Sequence, residues 1–326
     1  MAAPEAHARA APAHHEPSRA KLIVMFAAVY ILWGSTYLAI RFAIATLPPL
    51  FMAGSRHLIA GLILYPLARV QSKEKPTSAN WFSAALMGAL LLLGGNGGVS
   101  WSEQIVPSGV AALLVASVSF WMIIIEWLRP RGTRPMRRII IGLVLGFAGL
   151  VFLVGPSKLG GGRVNPIGAT VLVLASLSWA TGSVSAKHLK LPRSPLLAAG
   201  MESLVGGVLL ILSSILFGRG ESVRLATVST RSLLAVGYLV VFGSLLGLSA
   251  YNWLLHHASP ARVGTYAYVN PVVAMLLGWA IAGEAITLRT LLAAAVILAG
   301  VVLVISAGEK TPTPVTESRE PLEVGS

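Results

Sequence analysis

The chain has 326 residues, 55% of them apolar and only 11% charged, with a formal charge of +13 at pH 7. Soluble globular domains carry roughly 25% charged residues, so this composition and a mean hydropathy of +0.77 exclude an ordinary soluble fold. The length gives about ten membrane spans of roughly 20 residues. The basic excess sits in short loops between apolar runs, which excludes nucleic-acid binding as its cause. The absence of cysteine excludes disulfides, thiolate metal sites and thiol catalysis.

Residues 1–21 are rich in Ala, His and Pro and lack the positive-then-apolar order of a signal peptide. They are expected to form a disordered cytoplasmic tail. Apolar runs follow at 22–40, 50–68, 81–101, 108–127, 139–155, 166–186, 196–218, 232–255, 263–282 and 290–306. Each is long enough to cross about 30 Å of hydrocarbon at 1.5 Å per residue. Lipid cannot satisfy exposed backbone groups, so helices are expected. The alternating ten-residue segments of a β-barrel do not occur. Residues 307–326, with Thr311-Pro312-Thr313-Pro314, read as a second disordered cytoplasmic tail.

Loop charge sets the orientation. With the N-terminus inside, seventeen Lys and Arg fall in inside segments and seven outside, with Arg56 alone within a span. This asymmetry places both termini in the cytoplasm of a multi-pass inner (plasma) membrane protein.

The two halves resemble each other. At an offset of 146, Leu32-Trp33-Gly34-Ser35 matches Ser178-Trp179-Ala180-Thr181, Arg41 matches Lys187, Pro49 to Gly54 matches Pro195 to Gly200, and Gly61 matches Gly207. Beyond the longer 219–231 loop the offset is about 152, where Trp101 matches Trp253 and Ala148 to Val151 matches Ala299 to Val302. The repeats are expected over 22–155 and 156–306. Five spans per half is odd, so the second half enters the membrane upside down. The fold class is therefore all-α integral membrane, with ten helices in two inverted five-helix repeats. Such symmetry creates two nearly equivalent states, one open to each side, with the substrate site near the midplane.

These residues resemble the EamA family of the drug/metabolite transporter superfamily. The resemblance rests on Trp33-Gly34-Ser35 with Arg41, Val106-Pro107-Ser108-Gly109-Val110-Ala111-Ala112-Leu113, Ser259-Pro260-Ala261, Asn270-Pro271-Val272-Val273 and Gly283-Glu284. It covers roughly 22–306 and implies export of metabolites, amino acids or drugs. Two positions depart from it. Ser119, the repeat partner of Pro271, stands where the family often has proline, and the first-half counterpart of Gly283-Glu284 is Arg131-Gly132.

The expected substrate-binding residues are Trp33, Tyr37, Arg56, Asn96, Trp101, Trp179, Glu202, Tyr266 and Asn270. Arg56 and Glu202 are the strongly charged side chains well inside spans, at equivalent repeat positions. Exposure of either to lipid costs about 2.5–3.5 kcal/mol or more, so both should face the bundle interior. His57 is turned about 100° from Arg56 and is expected to face elsewhere. Trp33, Trp179, Tyr266 and Asn270 lie near span centres, unlike interfacial aromatics, and are expected to converge on one cavity. Asn270 precedes Pro271, whose missing N–H frees a carbonyl one turn back. Asn96 lies within Gly94-Gly95-Asn96-Gly97-Gly98, which lacks the Lys-Ser/Thr of a phosphate loop. Glu202 is expected to face the cavity in its inner half and to bind substrate or a proton.

No catalytic or metal-ligand motif is present, and no cofactor is expected. The expected function is secondary export of a small molecule by alternating access. An integral-membrane enzyme or a channel is the alternative. Expected partners are a small-molecule substrate, the lipid bilayer, and protons or a counter-substrate, with the chain a monomer or homodimer.

Overall fold

The computed structural model describes residues 18–106, 108–130, 132, 134–154, 165–217, 227–282 and 287–307. Pro107, Arg131, Gly283-Glu284 and most of both tails lie outside the described residues. Among those described, every regular element is a helix.

The first half holds α1 (Arg19–Ala43), α2 (Pro49–Ser72), α3 (Ser78–Ser102), α4 (Ser108–Val115), α5 (Val118–Leu128) and α6 (Arg137–Val154). The second holds α7 (Pro166–Ser185), α8 (Pro195–Phe217), α9 (Thr230–His257), α10 (Pro260–Gly264), α11 (Tyr266–Ala282) and α12 (Leu288–Ser306). Local sequence explains several starts. Ser18 caps α1, Thr77 and Asn80 form a capping box on α3, and Asn165 caps α7 ahead of Pro166.

Six of these helices are long and apolar enough to cross a membrane: α1, α2, α3, α7 with its short 3₁₀ extension to His188, α8 and α9. Leu113–Leu128 and Leu291–Ser306 are shorter apolar helices.

The run at 108–127, expected as one span, breaks between α4 and α5. Ser117 Oγ donates to Leu114 O (2.6 Å) and Ser119 Oγ to Gly264 O (2.7 Å). These hydroxyls take carbonyls that a continuous ladder would use or leave exposed to a neighbour. The ninth run breaks likewise between α10 and α11, where Thr265 Oγ1 donates to Arg262 O (2.6 Å).

Two stretches widen to π-helix: Gly88–Gly97 in α3 and Leu239–Gly247 in α9. Such widening rotates the side chains that follow and is frequent at functional sites.

The core is built on close helix contacts. α2 and α8 run antiparallel, and their contacts occur twice with the partners exchanged. A Cβ at Gly61 would stand 2.6 Å from Leu204 N, and one at Gly207 would stand 2.6 Å from Leu58 N. Gly54 likewise lies against Ile211, and Gly200 against Tyr65. Small residues here let two backbones approach as helices in lipid do. α6 and α12 show the same exchange: Gly149 lies against Ala293, and Gly300 against Gly142.

Candidate substrate cavity

A cavity enclosing about 770 Å³ of empty space, part of it open to solvent, lies between the two halves. α1, α2, α3, α4 and α5 of the first half line it, with α7, α9 and α11 of the second. Both π segments reach it, through Leu92, Gly95 and Asn96 in α3 and Gly243 in α9.

Its floor is aromatic. The Trp33 ring stands edge-on to Trp179 (centroids 5.5 Å apart) and to Tyr266 (5.1 Å), and lies 4.8 Å from Tyr251. Such geometries suit ring quadrupoles. Polar ends are satisfied: Trp33 Nε1 donates to Gly243 O (3.1 Å), and Trp179 Nε1 to the Tyr251 hydroxyl (2.8 Å). Tyr251 also shares a hydrogen bond with Ser183 (2.5 Å). Tyr30 and Thr265 hydroxyls pair at 2.5 Å and tie α1 to the break before α11.

Asn270 stands one turn into α11 beside Pro271. Its amide nitrogen, oriented as its neighbours require, donates to Tyr266 O (3.1 Å) and Tyr30 O (3.2 Å). The side chain thus bridges α1 and α11 where the ladder is already broken.

Arg56 is 4% exposed. Its Nη2 donates to Asn96 Oδ1 (2.8 Å), while Nε has no hydrogen-bond partner. His57 is also 4% exposed, lines the same cavity, and neither ring nitrogen is partnered. This corrects the expectation that it faces elsewhere. A 100° turn separates the two Cβ directions, but the cavity wall spans both.

Glu103 follows the end of α3 and is half-buried. Burial pushes its carboxyl up to about 7, and the positive charge of Arg56 opposes that rise.

The cavity brings together Trp33, Arg56, Asn96, Trp179, Tyr266 and Asn270. Trp101 and Glu202 are not among its lining residues, and the side chain of Tyr37 lies outside the described residues. Glu202 is fully buried but turned toward α9, where Asn252 Nδ2 donates to its Oε2 (2.6 Å). Glu202 Oε1 and Asn252 Oδ1 are both left without partners. Tyr251, not among the expected residues, packs against the lining rings of Trp33, Trp179 and Tyr266 without itself lining the cavity. The residue 152 positions before Tyr251 is Val99, so the repeat carried no aromatic signal for it.

Residues 20–155 and again 166–306 match the model of the EamA-like transporter family. The chain belongs to the EamA-like transporter family. Among relatives, it is 41% identical over 278 residues to the "uncharacterized inner membrane transporter YedA" of Escherichia coli (strain K12), covering 85% of this chain and 88% of that one. It is 24% identical over 286 residues to the "probable amino-acid metabolite efflux pump" of Salmonella typhimurium, covering 83% and 90%. A solved structure with 19% identity superposes with a TM-score of 0.70 over 87% of this chain and 97% of its own. That likeness shows a shared fold. In this member of the EamA-like family, the cavity lies between the segments of the two family matches.

Proposed function

We propose that this protein is a secondary transporter that exports small organic molecules across the inner membrane by alternating access. The observation that carries the reading is the paired, partner-exchanged contact of α2 with α8 around a cavity between the halves. Antiparallel helices related by a two-fold require an axis perpendicular to their length. For helices that cross a membrane, that axis lies in the membrane plane, and the repeats are inverted. Inverted repeats give two exchangeable states about a central site. Ten spans with both termini cytoplasmic fit this frame, with α4 and α5 forming the fourth span and α10 and α11 the ninth.

In that orientation the cavity faces outward. Ile40 and Val99 lie toward the outer ends of α1 and α3, and the rings of Trp33, Trp179 and Tyr266, backed by Tyr251, close the inner side. Relatives named as transporters and an efflux pump support the same function.

The test is reconstitution into vesicles with a metabolite panel. Saturable flux stimulated by substrate on the opposite side is expected. Chemical conversion of a panel member, or conductance that does not saturate, would replace this reading with an enzyme or a channel.

A further inference from the structure

The charges around the cavity are one-sided. Among the described residues, Arg56 carries the one strongly charged side chain in its lining, and no acidic side chain lines it. Among the described residues, the one ion pair within 4 Å joins Arg129 to Glu126, away from Arg56. Glu103 acts on Arg56 at longer range only.

A buried guanidinium is costly without an anion and full hydrogen bonding. Here Asn96 takes one N–H, and the Nε–H is unused. One residue on, the His57 ring has an unused N–H on the same wall. Two idle donors of this kind suit the two oxygens of a carboxylate. The rest of the described lining adds Thr36, Ser176 and Asn270 as neutral polar side chains and is otherwise apolar or aromatic, including Ile40, Leu92, Val99, Trp33 and Trp179. It offers no carboxylate to an ammonium group.

We propose that the substrate is a small organic anion, a carboxylate on an apolar or aromatic body, with Arg56 and His57 binding the carboxylate and the aromatic floor binding the body. This inference rests on the transporter reading for its direction of movement, but the binding site stands apart from it. Asn96 is a positioning residue: it holds one edge of the guanidinium through Nη2 and leaves Nε without a protein partner.

The experiment uses purified full-length protein in lipid nanodiscs and three matched series. These are benzoate, 3-phenylpropionate and hexanoate, each with its neutral amide and the corresponding amine. Calorimetric titration should show saturable binding of at least one acid, with its amide and amine at least about tenfold weaker, as expected for loss of a charge-assisted pair. Arg56→Gln should weaken the acid by a similar factor, and Arg56→Lys by less. If Arg56→Gln does not yield folded protein, the wild-type series decides alone. The proposal is overturned if no acid binds, if an amide or amine binds as tightly as its acid, or if folded Arg56→Gln binds the acid like the wild type. Vesicle flux with the same compounds separates the two readings. Acid binding without flux keeps the anion site and removes the transporter. Saturable flux of amines or amides alone keeps the transporter and removes the anion site.

Discussion

The indole of Trp179 occupies the space that a side chain at Gly95 would need: a Cβ there would stand 2.6 Å from Cε3. The same relation recurs across the repeat. Trp33 lies against Gly247, where a Cβ would stand 2.8 Å from Cδ1. Each tryptophan therefore packs against a glycine in the π segment of the other half, where both indoles line the cavity.

Alanine at Gly95 or Gly247 should therefore overpack the floor. Each change is expected to cost about 1–3 kcal/mol and to lower the thermal unfolding midpoint in detergent. Replacing the facing tryptophan with leucine should recover part of the loss, because both changes act on one contact. Equal losses in the single and double variants would show that the glycines matter for another reason.

A second expectation concerns the Glu202–Asn252 pair. Glutamine at 202 can accept from Asn252 Nδ2 as Glu202 does now, and it removes the charge whose Oε1 is buried without a partner. Glu202→Gln is thus expected to fold with a midpoint at or above that of the wild type. Asn252→Leu removes the donor and leaves a buried carboxylate bare, which should cost about 1–3 kcal/mol or more. If Glu202 carries a proton during transport, Glu202→Gln also flattens the pH dependence of flux between pH 5 and 8. Wild-type flux at every pH would make Glu202 a structural residue.

The sequence made the interior faces of the helices legible but not the partners across them. Depth in the span and the burial cost of charge were enough to turn Arg56 and Glu202 inward. Which cavity or helix each meets depends on pairs far apart in the chain, such as Glu202 with Asn252 and Arg56 with Asn96. The α3 and α9 π segments were invisible to a count based on 3.6 residues per turn, and they decide how Asn96 and Gly243 meet the cavity. The breaks at Ser117 and Thr265 leave no mark in the hydropathy pattern, because hydrophobic runs continue through them while the hydroxyls alter the backbone.

Loop charge predicts the orientation, which is open to direct measurement. A reporter fused after Ser306 should signal a cytoplasmic end, and one placed between residues 219 and 231 a periplasmic segment. A periplasmic signal from the fusion after Ser306 would remove one span from the count and with it the odd number per half.

The last prediction concerns Glu103. Its carboxyl sits at the C-terminal end of α3, where the helix dipole disfavours negative charge. Burial pushes it up to about 7 from 4.5, against the pull of Arg56. It therefore holds a proton at mildly acidic pH and loses it as the pH rises through about 7. For the fold, the sign follows from proton counts. Between 4.5 and about 7 the native chain binds a proton that the unfolded chain has released, so this group's contribution to stability is present below that window and falls as pH rises through it. For binding, ionisation places a second negative charge near Arg56, in competition with an anionic ligand. The affinity for benzoate, which is ionised throughout, should fall between pH 6 and pH 8. Arg56 and His57 on α2 are the other ionisable groups on this wall among the described residues, so His57→Asn serves as the control for titration of the imidazole. Glu103→Gln is uncharged at every pH and should bind benzoate equally at both ends of the range, near the level of the wild type at pH 6. Calorimetric titration at pH 6, 7 and 8 gives the answer. A wild-type affinity that is flat or rises with pH, or a slope that survives in Glu103→Gln, means that Glu103 does not compete for Arg56.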